Sequence, residues 1–90
     1  MALQIERSSQ FKPDYKRIKR QGADLSKLLA VIQYLVAEEP LEQRYLDHPL
    51  KGNWRGYRDC HIEPDWLLIY KVEGDTLRLS RTGSHSELFG

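Results

Sequence analysis

Asp65-Trp66-Leu67-Leu68-Ile69-Tyr70-Lys71-Val72-Glu73-Gly74-Asp75-Thr76-Leu77-Arg78-Leu79-Ser80-Arg81-Thr82 reads as one β-hairpin. Trp66 to Tyr70 is the longest apolar run; it suits a buried strand and falls far short of the ~20 apolar residues that span a bilayer. Glu73-Gly74-Asp75 supplies a tight turn, and Thr76 to Thr82 returns as a strand of alternating character. Toward the N-terminus, Trp54 to Asp59 predicts a third strand, joined to the hairpin by Cys60-His61-Ile62-Glu63-Pro64, a link short enough for antiparallel neighbours. Before that the period changes. Leu25, Leu28, Leu29, Ile32, Leu35 and Val36 recur at helical spacing, with Asp24 as cap and Pro40 as terminator. Phe11, Tyr15 and Ile18 share one face of an earlier helix, with Ser8 and Ser9 as cap hydroxyls, Pro13 in the first turn and Gln21-Gly22 at the end. Leu3 to Arg7 alternates as a short strand, and Ser84 to Phe89 forms a short tail of about one helical turn. The order is β-α-α-β-β-β. It predicts an α+β fold, a two-helix hairpin packed on one face of a small, mostly antiparallel sheet, with the other face left for function.

The 90 residues, 40% hydrophobic and 30% charged, suit a single domain over 1–90 with one small core. Fourteen Lys and Arg face 13 Asp and Glu, a net charge of +1 that argues against a protein coating nucleic acid by charge alone. Cys60 is the only cysteine, so an internal disulfide and a Cys-based zinc site are excluded. No signal-like apolar run opens the chain, so a cytoplasmic protein with no membrane partner is expected.

The charge is unevenly spread. Residues 1–22 carry six basic side chains against two acidic ones, a net of +4, whereas residues 23–45 carry two against four, a net of −2. The run Lys12, Lys16, Arg17, Lys19 and Arg20 is either a phosphate-binding face or a solvated helix surface.

His48, His61 and His85 each lie in a loop or at a strand end, beside turn residues. Asp65 follows Pro64 at the head of the central strand and Arg81 lies near the end of the last, so the five are expected to converge at one rim of the sheet. Cutting RNA without a metal needs a base for the 2′-hydroxyl, an acid for the departing 5′-oxygen and a cation over the phosphorane. Lys51, Arg55, Arg58 and Arg81 are available cations, and Trp54, Tyr57, Trp66 and Phe89 are candidate platforms for unpaired bases. Blander readings compete. Single exposed histidines are mostly inert; a His/Asp metal site would need the histidine spacings of 13 and 24 residues, which match no compact zinc motif; and Trp66, heading the most apolar strand, reads as mostly structural. Arg81 also shares parity with Leu77 and Leu79, which a simple sheet turns toward the core. Either the strand ends before Arg81, or a bulge intervenes, or the leucines lie under the functional face.

Asp47-His48-Pro49-Leu50-Lys51-Gly52, Trp54, Gly56-Tyr57-Arg58-Asp59, His61, Glu63-Pro64-Asp65-Trp66-Leu67-Leu68-Ile69-Tyr70 and Arg81-Thr82-Gly83-Ser84-His85-Ser86-Glu87-Leu88-Phe89 together resemble the YafQ branch of the RelE/ParE toxin superfamily, toxins of bacterial type II toxin–antitoxin systems. The resemblance implies a RelE-like fold and a ribosome-dependent mRNA interferase that needs no cofactor or metal. It places His48, His61, Asp65 and His85 at catalytic positions, Arg81 at a phosphate-stabilising one and Phe89 against the substrate base, with Lys51 and Trp66 as further substrate contacts. His85 is the expected general acid, and the base lies among Asp65, His48 and His61. The implied partners are the 70S ribosome with mRNA, and an antitoxin with a ribbon-helix-helix half through which alone operator DNA is bound. The basic first helix would then face ribosomal RNA. The alternatives are a ParE-like toxin that binds DNA gyrase, which does not need the His/Asp/Arg set, and a stand-alone RNase or RNA-binding module.

Overall fold

The hairpin of Trp66–Glu73 (β4) and Thr76–Gly83 (β5) lies inside a five-stranded sheet. The computed structural model describes residues 2–90. Gln4–Arg7 forms β1, Phe11–Arg20 α1, Leu25–Val36 α2, His48–Pro49 β2, Arg58–Glu63 β3 and His85–Phe89 α3. The strands run in the order β1-β5-β4-β3-β2, with β1 parallel to β5 and the other neighbours antiparallel. The α+β architecture is as expected.

Alternation assigns the two faces of the sheet. Leu68, Tyr70, Cys60, Ile62, Leu77 and Leu79 pack with Phe11, Ile18, Leu28, Val31, Ile32 and Leu35 of the helices in the main core. Each such side chain contributes roughly 1.5–3 kcal/mol by leaving water. Leu67 and Ile69 point the other way and join Leu88, with Leu50, Trp54 and Tyr57 over them, in a smaller cluster. Cys60 is fully buried, and burial pushes its thiol above the ordinary range, so it is chemically idle.

The caps follow the sequence in part. Asp24 accepts the Ser26 amide at 3.1 Å and starts α2. For α1, Ser8 Oγ accepts the Phe11 amide at 3.1 Å, while the cap position itself falls on Gln10, which makes no side-chain bond. Ser84 and Glu87 form a reciprocal capping box on α3.

Two boundaries differ from expectation. The third strand begins at Arg58, not at Trp54, because Gly52–Trp54 forms a 3₁₀ turn and Gly56 takes φ +92°. Consequently Cys60, His61, Ile62 and Glu63 belong to β3, and Pro64-Asp65 alone makes the turn, with Asp65 just ahead of β4. His61 of that segment faces away from the helices, and Glu63, past a register shift, reaches Lys27 of α2. Their polarity disguised the strand as a linker. The two-residue β2 at His48–Pro49, pairing with Asp59 and Arg58, was also not foreseen.

Candidate active site

Cross-strand register gathers the site on the face opposite the helices. Asp59 pairs with Ile69 and Ile69 with Arg81; His61 pairs with Leu67 and Leu67 with Gly83; His48 pairs with Asp59. Directly opposed residues share a face, so Asp59, His61 and Arg81 all rise on that of Leu67 and Ile69. Arg81 reaches it through a bulge. Ile69 pairs with Arg81 but Tyr70 pairs with Leu79, so Ser80 is the extra residue that reverses the parity. Leu77 and Leu79 stay in the core while Arg81 faces out.

His61, His85, Asp65 and Phe89 meet at one end of the sheet. The His61 and His85 rings are 5.7 Å apart, and His85 and Phe89 6.1 Å. Asp65 Oδ1 accepts the His85 backbone N–H at 3.0 Å and lies 3.4 Å from its Nδ1. That backbone bond, with smaller help from the His85 and His61 imidazoles, holds the Asp65 carboxyl below its ordinary value despite some desolvation. His61 Nδ1 lies 3.3 Å from the Pro64 carbonyl. A carbonyl only accepts, so Nδ1 is the donor in this contact, and in the neutral ring the lone pair is on Nε2.

Asp59 was not singled out by sequence reasoning, yet it sits at the centre of the face. It is 3% exposed, and its Oδ1 is 3.1 Å from His48 Nε2. His48 Nδ1 lies 2.7 Å from the Leu46 carbonyl and therefore carries a hydrogen. Asp59 Oδ1 is buried without a hydrogen-bond partner, so its contact with the His48 ring is an electrostatic approach and not a hydrogen bond. Burial pushes the Asp59 carboxyl above its ordinary value, opposed by His48, His61 and His85 in turn. The signal available in the sequence was the pair Asp59 and His61, two apart on one strand and thus on one face.

Arg81 is tied to α1. Its Nε and Nη2 meet both oxygens of Asp14 at 2.6 and 3.0 Å. Arg17 is tied down as well, donating to Asp14 Oδ1 at 2.9 Å and to the Thr82 carbonyl at 3.0 Å, with its Nε 3.0 Å from Glu87. Lys12, Lys16, Lys19 and Arg20 remain exposed. Arg17 thus separates from the basic run as an internal tie. Trp66 also departs from its place among the substrate contacts: it lies on the helix-facing side of β4, 6% exposed, with Nε1 donating to Thr82 Oγ1 at 2.9 Å. It has almost no surface to offer a base. Phe89 is 44% exposed, and Lys51 is exposed in the loop after β2. Among the described residues no group of three or more His, Cys, Asp and Glu is arranged to hold a metal, and no helix is long and apolar enough to cross a membrane.

Residues 3–90 match the model of a family described as the bacterial toxin of type II toxin–antitoxin systems, YafQ. The chain is 47% identical over 87 residues to the mRNA interferase toxin YafQ of Escherichia coli strain K12, covering 96% of this chain and 95% of that protein. The crystal structure of YafQ from E. coli strain BL21(DE3) superposes with a TM-score of 0.93 at 45% identity, covering 98% of this chain and 99% of that one. The toxin chain of an E. coli DinJ–YafQ complex gives 0.91 at 46%, with the same coverage.

Proposed function

The chain belongs to the YafQ family of type II toxin–antitoxin toxins, and from that premise we propose that it is an mRNA interferase, an endoribonuclease that inhibits translation by cutting mRNA in the ribosomal A site. The observation that carries the chemistry is the His61–His85 pair, with His85 held by Asp65 through both backbone and ring.

The reaction needs no bound group. A base removes the 2′-hydroxyl proton, the oxygen attacks the adjacent phosphorus, and the P–O bond to the 5′-oxygen breaks as an acid protonates the leaving group. His61, with its Nδ1 proton occupied by the Pro64 carbonyl and Nε2 free, is suited to be the base. His85 as imidazolium is the acid. The Asp65 carboxylate beside Nδ1 orients the ring and leaves Nε2 to face the 5′-oxygen. Asp65, ionised and holding His85, is better suited to orient the acid than to be the base. Arg81 lies over the same face to stabilise charge on the phosphorane. Phe89, beside His85, offers its ring to a base. The exposed cations of α1 are assigned to ribosomal RNA, and the inhibitor is a cognate antitoxin of the kind seen in the DinJ–YafQ complex. The working compartment is the cytoplasm, where ribosomes are.

His85→Ala and Arg81→Ala should each abolish growth inhibition and slow mRNA cleavage on translating ribosomes by roughly a hundred- to a thousand-fold, with the fold unchanged by circular dichroism. Cleavage at wild-type rate in both variants would overturn these roles. Inhibition of gyrase supercoiling without mRNA cleavage would favour the ParE-like alternative.

A further inference from the structure

Arg81 is a long, flexible side chain on a strand whose hydrogen-bonded neighbour ends too early to support it. β1 pairs with β5 only as far as Arg7 opposite Leu79, and beyond that the β5 edge has no strand partner; Ser8, Asp14 and Arg17 take its backbone groups instead. Helix α1 lies along this gap. Asp14, 2% exposed, points at it from the first turn of α1 and takes four N–H groups: Arg81 Nε at 2.6 Å, Arg81 Nη2 at 3.0 Å, Arg17 Nη1 at 2.9 Å and the Thr82 amide at 3.2 Å. Burial alone would raise the Asp14 carboxyl, but its bonds to Arg81, Thr82 and Arg17 outweigh burial and hold it below its ordinary value.

The grip on Arg81 is side-on. Asp14 uses the Nε and Nη2 edge of the guanidinium, which leaves the two Nη1 hydrogens and the second Nη2 hydrogen without an Asp14 partner. Those three donors belong to the end of the fork away from α1. A side-on pair also removes the rotamer freedom of the arginine before substrate arrives, and lysine cannot form it. Arg17, Thr82 and the buried position hold Asp14 itself in place, so the tie is anchored on both sides.

We propose that Asp14 is a positioning residue for catalysis: from α1 it holds the Arg81 guanidinium side-on and aims its free donors across the sheet face at the scissile phosphate. This rests on Arg81 being the phosphate-stabilising cation. Asp14 touches no reacting atom; it acts through Arg81. The competing role is purely structural, a buried ion pair docking α1 on β5, and a double-mutant cycle separates the two.

Single-turnover cleavage of mRNA on programmed ribosomes is measured at saturating ribosome for the wild type, Asp14→Asn, Arg81→Ala and the double variant, with melting temperatures alongside. Asp14→Asn should slow cleavage by roughly ten- to a hundred-fold, the scale of a misplaced catalytic group, and the double variant should be no slower than Arg81→Ala. Equal slowing by Asp14→Asn in both backgrounds, or none in either, overturns the proposal. If Asp14→Asn does not fold, Asp14→Glu serves in its place. It keeps the charge and displaces the guanidinium by one methylene, so slow cleavage by a folded protein supports positioning, and wild-type cleavage refutes it. Wild-type cleavage by Arg81→Ala instead refutes the role of Arg81, a different result from either.

Discussion

A carboxylate that is 3% exposed and meets an imidazole edge has a cost and a use, and Asp59 separates them. Its carboxyl binds a proton more firmly in the folded chain than at its ordinary value of 3.8. Its contribution to stability is therefore fully present below that value and is lost as pH rises through the raised folded one. Asp59→Asn does not titrate, so its melting temperature should gain on that of the wild type as pH climbs from acid to neutral, read from melting curves across that range. Cleavage by Asp59→Asn should fall, because His48 loses the carboxylate that stands 3.1 Å from its Nε2. A neutral-pH variant less stable than the wild type would show a net favourable ion pair instead. Asp59 was missed in the sequence because it closed a strand drawn four residues too early, and because its partner His48 lies eleven positions away on a strand of two residues. That His61, Asp65 and His85 would be neighbours was legible, because histidines beside turn residues and a carboxylate after proline are local signals.

At the scale of elements, α3 is the shortest helix and carries His85 at its first position. Its orientation depends on Gly83, the last residue of β5, at φ +151°. A Cβ there would lie 2.6 Å from Arg17 Nη2 and 2.8 Å from Glu87 Oε1, the two side chains that join α3 to α1. Gly83→Ala must move both and adopt a backbone conformation that side chains disfavour, a cost of about 1–3 kcal/mol. The main core is untouched, so the protein should remain folded with a lower melting temperature. Faster hydrogen exchange at the His85 amide and slower cleavage should accompany it, as the Asp65 contact loosens. Unchanged exchange at His85 would show that Ser84 and Glu87 suffice to hold α3. The helices themselves were legible from apolar spacing, and the hairpin from its turn. The Ser80 bulge was not. Composition within β5 allowed three outcomes, and the choice is made by α1, whose Asp14 takes the Thr82 amide from 68 residues away.

For the whole molecule, the net charge of +1 conceals a division of labour. Arg81 and Arg17 are neutralised locally by Asp14 and Glu87, and Lys27 and Arg78 by Glu63 and Glu6. Lys12, Lys16, Lys19 and Arg20 stay exposed on α1. On the function proposed above, a protein built this way would bind free RNA loosely and depend on the ribosome to present the strand. Replacing Lys12, Lys16, Lys19 and Arg20 by Gln should therefore weaken association with ribosomes. It should also flatten the dependence of log K on log salt concentration by roughly 0.7–0.9 for each phosphate that is no longer neutralised. Single-turnover cleavage at saturating ribosome should stay at the wild-type rate, since none of the four touches His61, His85 or Arg81. The measurement is a salt titration of ribosome binding beside the cleavage assay. An unchanged slope would make the basic face of α1 a solvated surface and leave ribosome recognition to the sheet face alone, whereas a collapse of the single-turnover rate would mean that α1 orders the active site as well as the encounter.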